Sequence, residues 1–331
     1  MGDRFTAMVI RESDGGTTAG LEQIGMSELP DYPVLVKVEF STLNYKDGLA
    51  ISGKGRIARR LPMVAGADLS GTVVESGSPD WKPGDKVIVN GWGMTETEWG
   101  GYSQFQRLKP EWLTRLPAAF TTEQAMAIGT AGYTAALCVD ALERYGALDR
   151  SEDRPVIVTG AAGGVGSVAV ALLSALGYPV AASTGRATLH DYLRGLGATS
   201  FVDRTELQEK GRPLQKEMWQ AGVDTVGSTT LANVLAQTRY GSAVAACGLA
   251  GGGDLPGTVM PHILRGVALL GVDSVMAPHA MRDRAWTLLA NHLDKGVLAS
   301  MTQVRNMSDL PALADDIIAG RIAGRVVIRV A

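Results

Sequence analysis

Over the first 128 residues the apolar positions come in short runs. Residues 5–10, 34–40, 71–75 and 86–90 are rich in β-branched side chains, which suit a pleated, half-buried strand. Turn residues part them, including the stretch 30–33 and Lys82-Pro83-Gly84-Asp85. No strand–helix alternation links these runs, so the pattern predicts a β-rich, barrel-like domain. The rhythm changes near Gly129. Residues 155–160 (PVIVTG) predict a buried strand, and 164–176 an apolar helix stopped by Gly177. Residues 179–184 predict a second strand. Leu189, Tyr192, Leu193 and Leu196 then share one helix face that ends at Gly197. Further strands are predicted at 200–203, 223–226, 243–248 and 268–272. Strands alternating with helices predict an α/β fold with a Rossmann-type, doubly wound parallel sheet. A helix at 282–293 and a last strand at 325–330 follow, and that strand is expected to return to the first domain. The expected division is 1–128, completed by 274–331, and 129–273.

A length of 331 residues agrees with two domains, and 46% hydrophobic residues suffice for full cores. The formal net charge of −3 offers no general attraction to nucleic acid or an anionic membrane. Two distant cysteines, Cys138 and Cys247, argue against a disulfide framework and fit a cytoplasmic protein. The N-terminus lacks the apolar stretch of a signal peptide, and no run of about 18 uncharged apolar residues would span a membrane.

The strongest local signal is Gly160-Ala161-Ala162-Gly163-Gly164-Val165-Gly166. It follows a predicted strand and opens a predicted helix, the context in which a glycine-rich turn carries weight. Small residues let the backbone approach a pyrophosphate, and the helix start offers it unpaired N–H groups and a partial positive charge. Ala161 stands at the first glycine position of the motif. The end of the second strand chooses the dinucleotide. An NAD site usually has a carboxylate there for the ribose hydroxyls. This chain has Ser183-Thr184-Gly185-Arg186, which suits the 2′-phosphate of NADPH. Arg204, at the end of the third strand, is expected beside the adenine.

Longer strings carry a family resemblance. Asn44-Tyr45-Lys46-Asp47-Gly48, Gly66-Ala67-Asp68, Lys82-Pro83-Gly84-Asp85 and the run GTAGYTA from Gly129 resemble the quinone oxidoreductase-like branch of the medium-chain dehydrogenase/reductase superfamily. The resemblance covers essentially the whole chain. Within that branch, residues 43–55, 127–139, 158–173, 247–252, 259–266 and 271–278 resemble the acrylyl-CoA reductases. The resemblance implies a GroES-like catalytic domain beside the Rossmann domain, NADPH as cofactor and an acyl-CoA thioester as substrate. It implies that Tyr45 faces the nicotinamide and its ribose. It also implies that Leu249, Ile263 and Ser274 line the nicotinamide end.

Zinc-dependent relatives carry a cysteine near the Asn44 position and Gly-His-Glu at the Gly66 position. This chain lacks both, and its two cysteines and four histidines, His190, His262, His279 and His292, are scattered. A zinc-free site suits hydride addition to an activated double bond rather than alcohol oxidation. Tyr45, Asn44 and Arg325 are the candidates for catalytic work, with Asp68 as the anchor of a neighbouring cation. Lys54, Arg56, Arg59 and Arg60 form a basic loop that would attract the phosphates of CoA. A quinone or enone reductase of the same fold, or a non-catalytic NADPH-binding protein, are the alternatives. The β-rich stretch 268–275 would pair with its own copy in a homodimer.

Overall fold

The computed structural model describes residues 3–330 and divides into two compact units. The first runs to Thr130 and resumes at Met301; the second is Ala131–Ser300. In the first unit, strands β1 (Arg4–Ser13) and β2 (Gly16–Gly25) form a hairpin in unbroken register around Asp14-Gly15. Strand β3 (Val34–Thr42) leads into helix α1 (Tyr45–Ser52), followed by β4 (Met63–Val64), β5 (Asp68–Ser76), β6 (Lys86–Asn90), β7 (Phe105–Leu108) and β8 (Thr114–Arg115). The β-rich reading of this region is correct in class, but its four runs leave out β2, α1 and the short strands β4, β7 and β8. Helix α2 (Thr122–Tyr145) crosses from the first unit into the second and is kinked at Gly129, whose φ of 53° and ψ of −165° are not helical.

The second unit alternates as its sequence predicts. It holds β9 (Val156–Val158), α3 (Gly164–Ala175), β10 (Val180–Thr184), α4 (His190–Gly195), β11 (Ser200–Asp203), α5 (Thr205–Gln208), β12 (Ala221–Asp224), α6 (Ser228–Gln237), β13 (Ala243–Ala246), α7 (Met260–Arg265) and β14 (Ala268–Gly271). The sheet order β11-β10-β9-β12-β13-β14 is wholly parallel. Chain order therefore reverses between β9 and β12, where a doubly wound sheet opens its ligand crevice. Ile157, Ala181, Val234 and Val244 belong to one buried cluster around this sheet.

Helices α8 (His279–His292) and α9 (Lys295–Ser300) complete the second unit. The division expected from sequence put residues 274–300 with the first domain, and the structure corrects it. Helix α8 packs on α3, and its Trp286 stacks on Tyr133 with 6.4 Å between ring centroids. The chain then returns to the first unit through β15 (Thr302–Asn306), α10 (Leu310–Ile318) and β16 (Arg325–Arg329). Strand β16 pairs antiparallel with β3, Val327 opposite Thr42, within the sheet β15-β16-β3-β5-β6-β8. Helix α10 packs on α1, and Gly48 is the point of closest approach, since a Cβ there would meet Ile317. Helix α2 is long and apolar enough to cross a membrane by length and composition alone, and it is mostly buried inside the protein.

Candidate active site

Two polar arrangements stand out, one in each unit. In the second, the turn after β9 takes the form its glycines require. The Gly163 amide donates to Gly160 O at 2.9 Å, and Gly163 caps α3. A Cβ on Gly166 would run into the Gly160 carbonyl and the Ala161 backbone, so only glycine lets the helix start lie this close to the strand. Ala161 is buried and its amide donates to Ser183 O at 3.1 Å, tying the turn to β10. Gly163, Gly164 and Val165 are half-buried. The amides of Gly164, Val165 and Gly166 open α3 and have no partner within the helix, as in any first turn. These amides suit a pyrophosphate.

Two residues that the sequence left unremarked brace this turn. The Thr159 hydroxyl donates to Asp224 Oδ1 at 2.7 Å, and Asp224 Oδ2 accepts the Gly227 amide at 2.7 Å. Asp224 thus links the ends of β9 and β12 to the start of α6, and burial holds its carboxyl above the usual carboxylate range. Its position at the end of an apolar strand was the only available signal.

Ser183 and Thr184 are buried at the end of β10, while Gly185 is exposed. The Thr184 hydroxyl accepts the Arg186 amide at 3.2 Å, and Thr184 O accepts the Arg204 amide at 3.3 Å. The Arg204 side chain lies directly over Gly185, where a Cβ would meet its guanidinium stem. Arg186 is half-buried; burial and then the charge of Arg204 push its pKa down. Two like charges beside two hydroxyl-bearing residues make an arrangement whose chemistry suits an anion.

Leu249 and Ile263 are strongly exposed for apolar residues, at 70% and 71%, and Ser274 is half-buried. Leu249 lines a cavity of about 420 Å³ with Ala246, Cys247, Gly248, Gly271, Val272 and Asp273, at the ends of β13 and β14. Ile263 and Ser274 are not among its lining residues. His190 stacks on Phe201 and His262 Nδ1 lies 2.6 Å from Val267 O, so both have local structural contacts.

In the first unit, Asn44 caps α1 and Tyr45 is its first residue. The Asn44 amide and its Nδ2 donate to Asp47 Oδ2 at 2.9 and 3.1 Å. The Ala67 amide donates to Asp47 Oδ1 at 2.9 Å. Asn44 Nδ2 also reaches Asp68 Oδ2 at 3.4 Å, which accepts the Thr130 amide at 2.7 Å. Both aspartates are fully buried. Burial, then the neighbouring Asp68, lifts the Asp47 carboxyl to about 7. Burial also raises Asp68, against the opposing pull of the Thr130 amide and the Arg325 guanidinium. Tyr45 itself is 46% exposed.

Arg325 does not sit in an open cleft. It is 2% exposed, donating from Nε to Ala127 O and from Nη2 to Thr42 Oγ1, both at 2.8 Å. It braces the kink of α2 against β3 from an enclosed position, not from the open cleft that the sequence suggested. The basic loop is partly neutralised, since Lys54 pairs with Asp315 at 2.7 Å and Arg59 with Glu96 at 3.7 Å, and all four of its cations stay exposed. Among the described residues no group of three or more His, Cys, Asp or Glu could hold a metal ion.

Two family models match the chain: the alcohol dehydrogenase GroES-like domain over residues 30–118 and the zinc-binding dehydrogenase over residues 164–291. The second carries zinc in its description, yet Asn44 and Ala67 stand where zinc-dependent relatives place their ligands. The chain is 51% identical over 329 residues to acrylyl-CoA reductase AcuI of Ruegeria pomeroyi, covering 98% of this chain and 99% of that one. The YhdH oxidoreductase of Salmonella enterica, solved with NADP, matches with a TM-score of 0.96 and 48% identity over 98% of this chain and 100% of that one. The YhfP protein of Bacillus subtilis, solved with NAD, matches with a TM-score of 0.95 and 39% identity over 99% and 100%.

Proposed function

The chain belongs to the acrylyl-CoA reductase AcuI family of the medium-chain dehydrogenase/reductase superfamily, and on that premise we propose that it reduces acrylyl-CoA to propanoyl-CoA with NADPH. The observation that carries the cofactor choice is the paired Arg186 and Arg204 at a strand end with no carboxylate. A 2′-phosphate between them would relieve their repulsion, and Ser183 and Thr184 would add hydroxyl contacts. NAD in the YhfP structure is the contrary hint, and the two arginines outweigh it.

NADPH, when bound, supplies the hydride that adds to the β-carbon of the unsaturated thioester. The carbonyl π electrons then rest on the thioester oxygen as an enolate, and the α-carbon takes a proton from solvent or a side chain. The protein binds, orients and polarises. The α3 start and the Ala161–Gly166 turn hold the pyrophosphate. Leu249, Ile263 and Ser274 are assigned to the nicotinamide end. Tyr45, with an exposed phenol on a rigidly capped helix, is assigned to the cofactor ribose or the thioester oxygen. Asn44 is assigned to holding that turn. All four cations of the basic loop are exposed, and Arg56 and Arg60 are assigned to the CoA phosphates.

We assign the enzyme to the cytoplasm and to a homodimer. Strand β14 ends the six-stranded sheet and leaves an edge for a second copy. Incubating purified protein with NADPH and acrylyl-CoA should yield propanoyl-CoA in step with NADPH loss. NADPH loss without propanoyl-CoA would refute the assignment.

A further inference from the structure

The most unusual electrostatic feature of the first unit is two buried aspartates that share one amide. Asp47 belongs to α1 and Asp68 opens β5, 21 residues apart in sequence, yet Asn44 Nδ2 donates to both. The groups facing the pair come from every element around it. Arg325 approaches from β16, the Thr130 amide from the kink of α2, and Tyr102 from the chain between β6 and β7. The Tyr102 hydroxyl donates to Thr42 O at 2.9 Å, and burial and then the two nearby aspartates hold its phenol well above the usual range. Lys46 neighbours Asp47 in sequence, but its ammonium is spent on Glu96 at 2.6 Å.

Charge counting then decides the state. Two carboxylates and one guanidinium would leave a negative charge with no counter-ion in a site closed to water. Burying an uncompensated ion costs far more than protonating it. Asp68 Oδ1 and Asn44 Oδ1 are also buried without a partner, so the cluster has no spare donors to absorb a second negative charge. The two acids are coupled, and their titration belongs to the pair.

We propose that Asp47 and Asp68 hold one proton between them, and that this proton keeps Asn44 and the first turn of α1 in place, so that Asp47 is a positioning residue for Tyr45. Losing the proton sets two carboxylates against each other beneath Asn44 and loosens the turn that presents Tyr45. The Asp47 group is raised in the folded state to about 7. Such a group adds stability at low pH, and that stability is lost as pH rises through the folded value. The Tyr45 consequence rests on the function proposed above; the proton itself does not.

The test uses the full chain. Thermal unfolding is followed from acid to alkaline pH for wild type, Asp47→Asn and Asp68→Asn. Wild type should lose stability through neutral pH, and either amide variant should remove that transition. Parallel curves for all three proteins would overturn the shared proton, and if one variant does not fold the other decides. The Michaelis constant for NADPH is then measured over the same range with acrylyl-CoA. It should rise several-fold through neutral pH in wild type and stay flat in Asp47→Asn. A flat profile in both would overturn the positioning role. A thermal transition without turnover at any pH would leave the proton standing and defeat the functional reading instead.

Discussion

Arg186 and Arg204 crowd the end of β10 with two like charges, an arrangement that suits a bound anion. Replacing Arg186 removes a charge-assisted contact worth about 2–3 kcal/mol. NADPH should therefore bind Arg186→Ala on the order of 30–150-fold more weakly, while NADH affinity barely moves. Fluorescence titration with both cofactors checks this, and an equal loss for the two would take Arg186 out of the phosphate site. Tyr45 poses a finer question. If its phenol stabilises the enolate oxygen, Tyr45→Phe should lower kcat by roughly 10²–10³ with NADPH affinity intact. If it holds the cofactor, the dissociation constant should rise and saturated kcat survive. Its exposure and its place at a helix start favour the cofactor role. No change in either quantity would leave Tyr45 without a part in the site.

At the scale of elements, the kink in α2 is the joint on which the first unit's polar cluster depends. Gly129 takes a φ of 53° there, and a Cβ would lie 2.6 Å from the Arg325 guanidinium and run into Thr42. Gly129→Ala should cost about 1–3 kcal/mol from the strained backbone alone, with further loss from the displaced Arg325. Chemical denaturation measures it, and an unchanged midpoint would show that the kink tolerates a side chain. Burial explains what sequence reading missed in this helix. Helix α2 is apolar on nearly every face because it is buried on nearly every face, so it has no amphipathic period to announce it. Strand β2 is half-exposed and weakly apolar, and its only cue was the Asp14-Gly15 turn. The strands β9 to β14 were legible because buried parallel strands read as short apolar runs between glycines. The acid pair was not legible. Asp68 was read as the anchor of a cation, but nothing in the chain pairs it with Asp47, and only folding reveals that the two share Asn44 and are both buried. Arg325 misled for the same reason: its position before the last strand gave no sign that its guanidinium is enclosed.

At the scale of the whole molecule, both units were foreshadowed by the change of rhythm near Gly129, while the second boundary moved because α8 packs on α3. The glycine turn, the paired arginines and the family membership together describe a reductase for an activated double bond. The central claim is that the double bond belongs to a small acyl-CoA thioester and not to a quinone. The most direct test compares kcat/KM for acrylyl-CoA and for a simple quinone under identical NADPH. The account predicts a value for acrylyl-CoA at least about two orders of magnitude higher, since binding energy from the CoA moiety is available only to the thioester. A quinone turned over as efficiently as acrylyl-CoA, or more so, would contradict it.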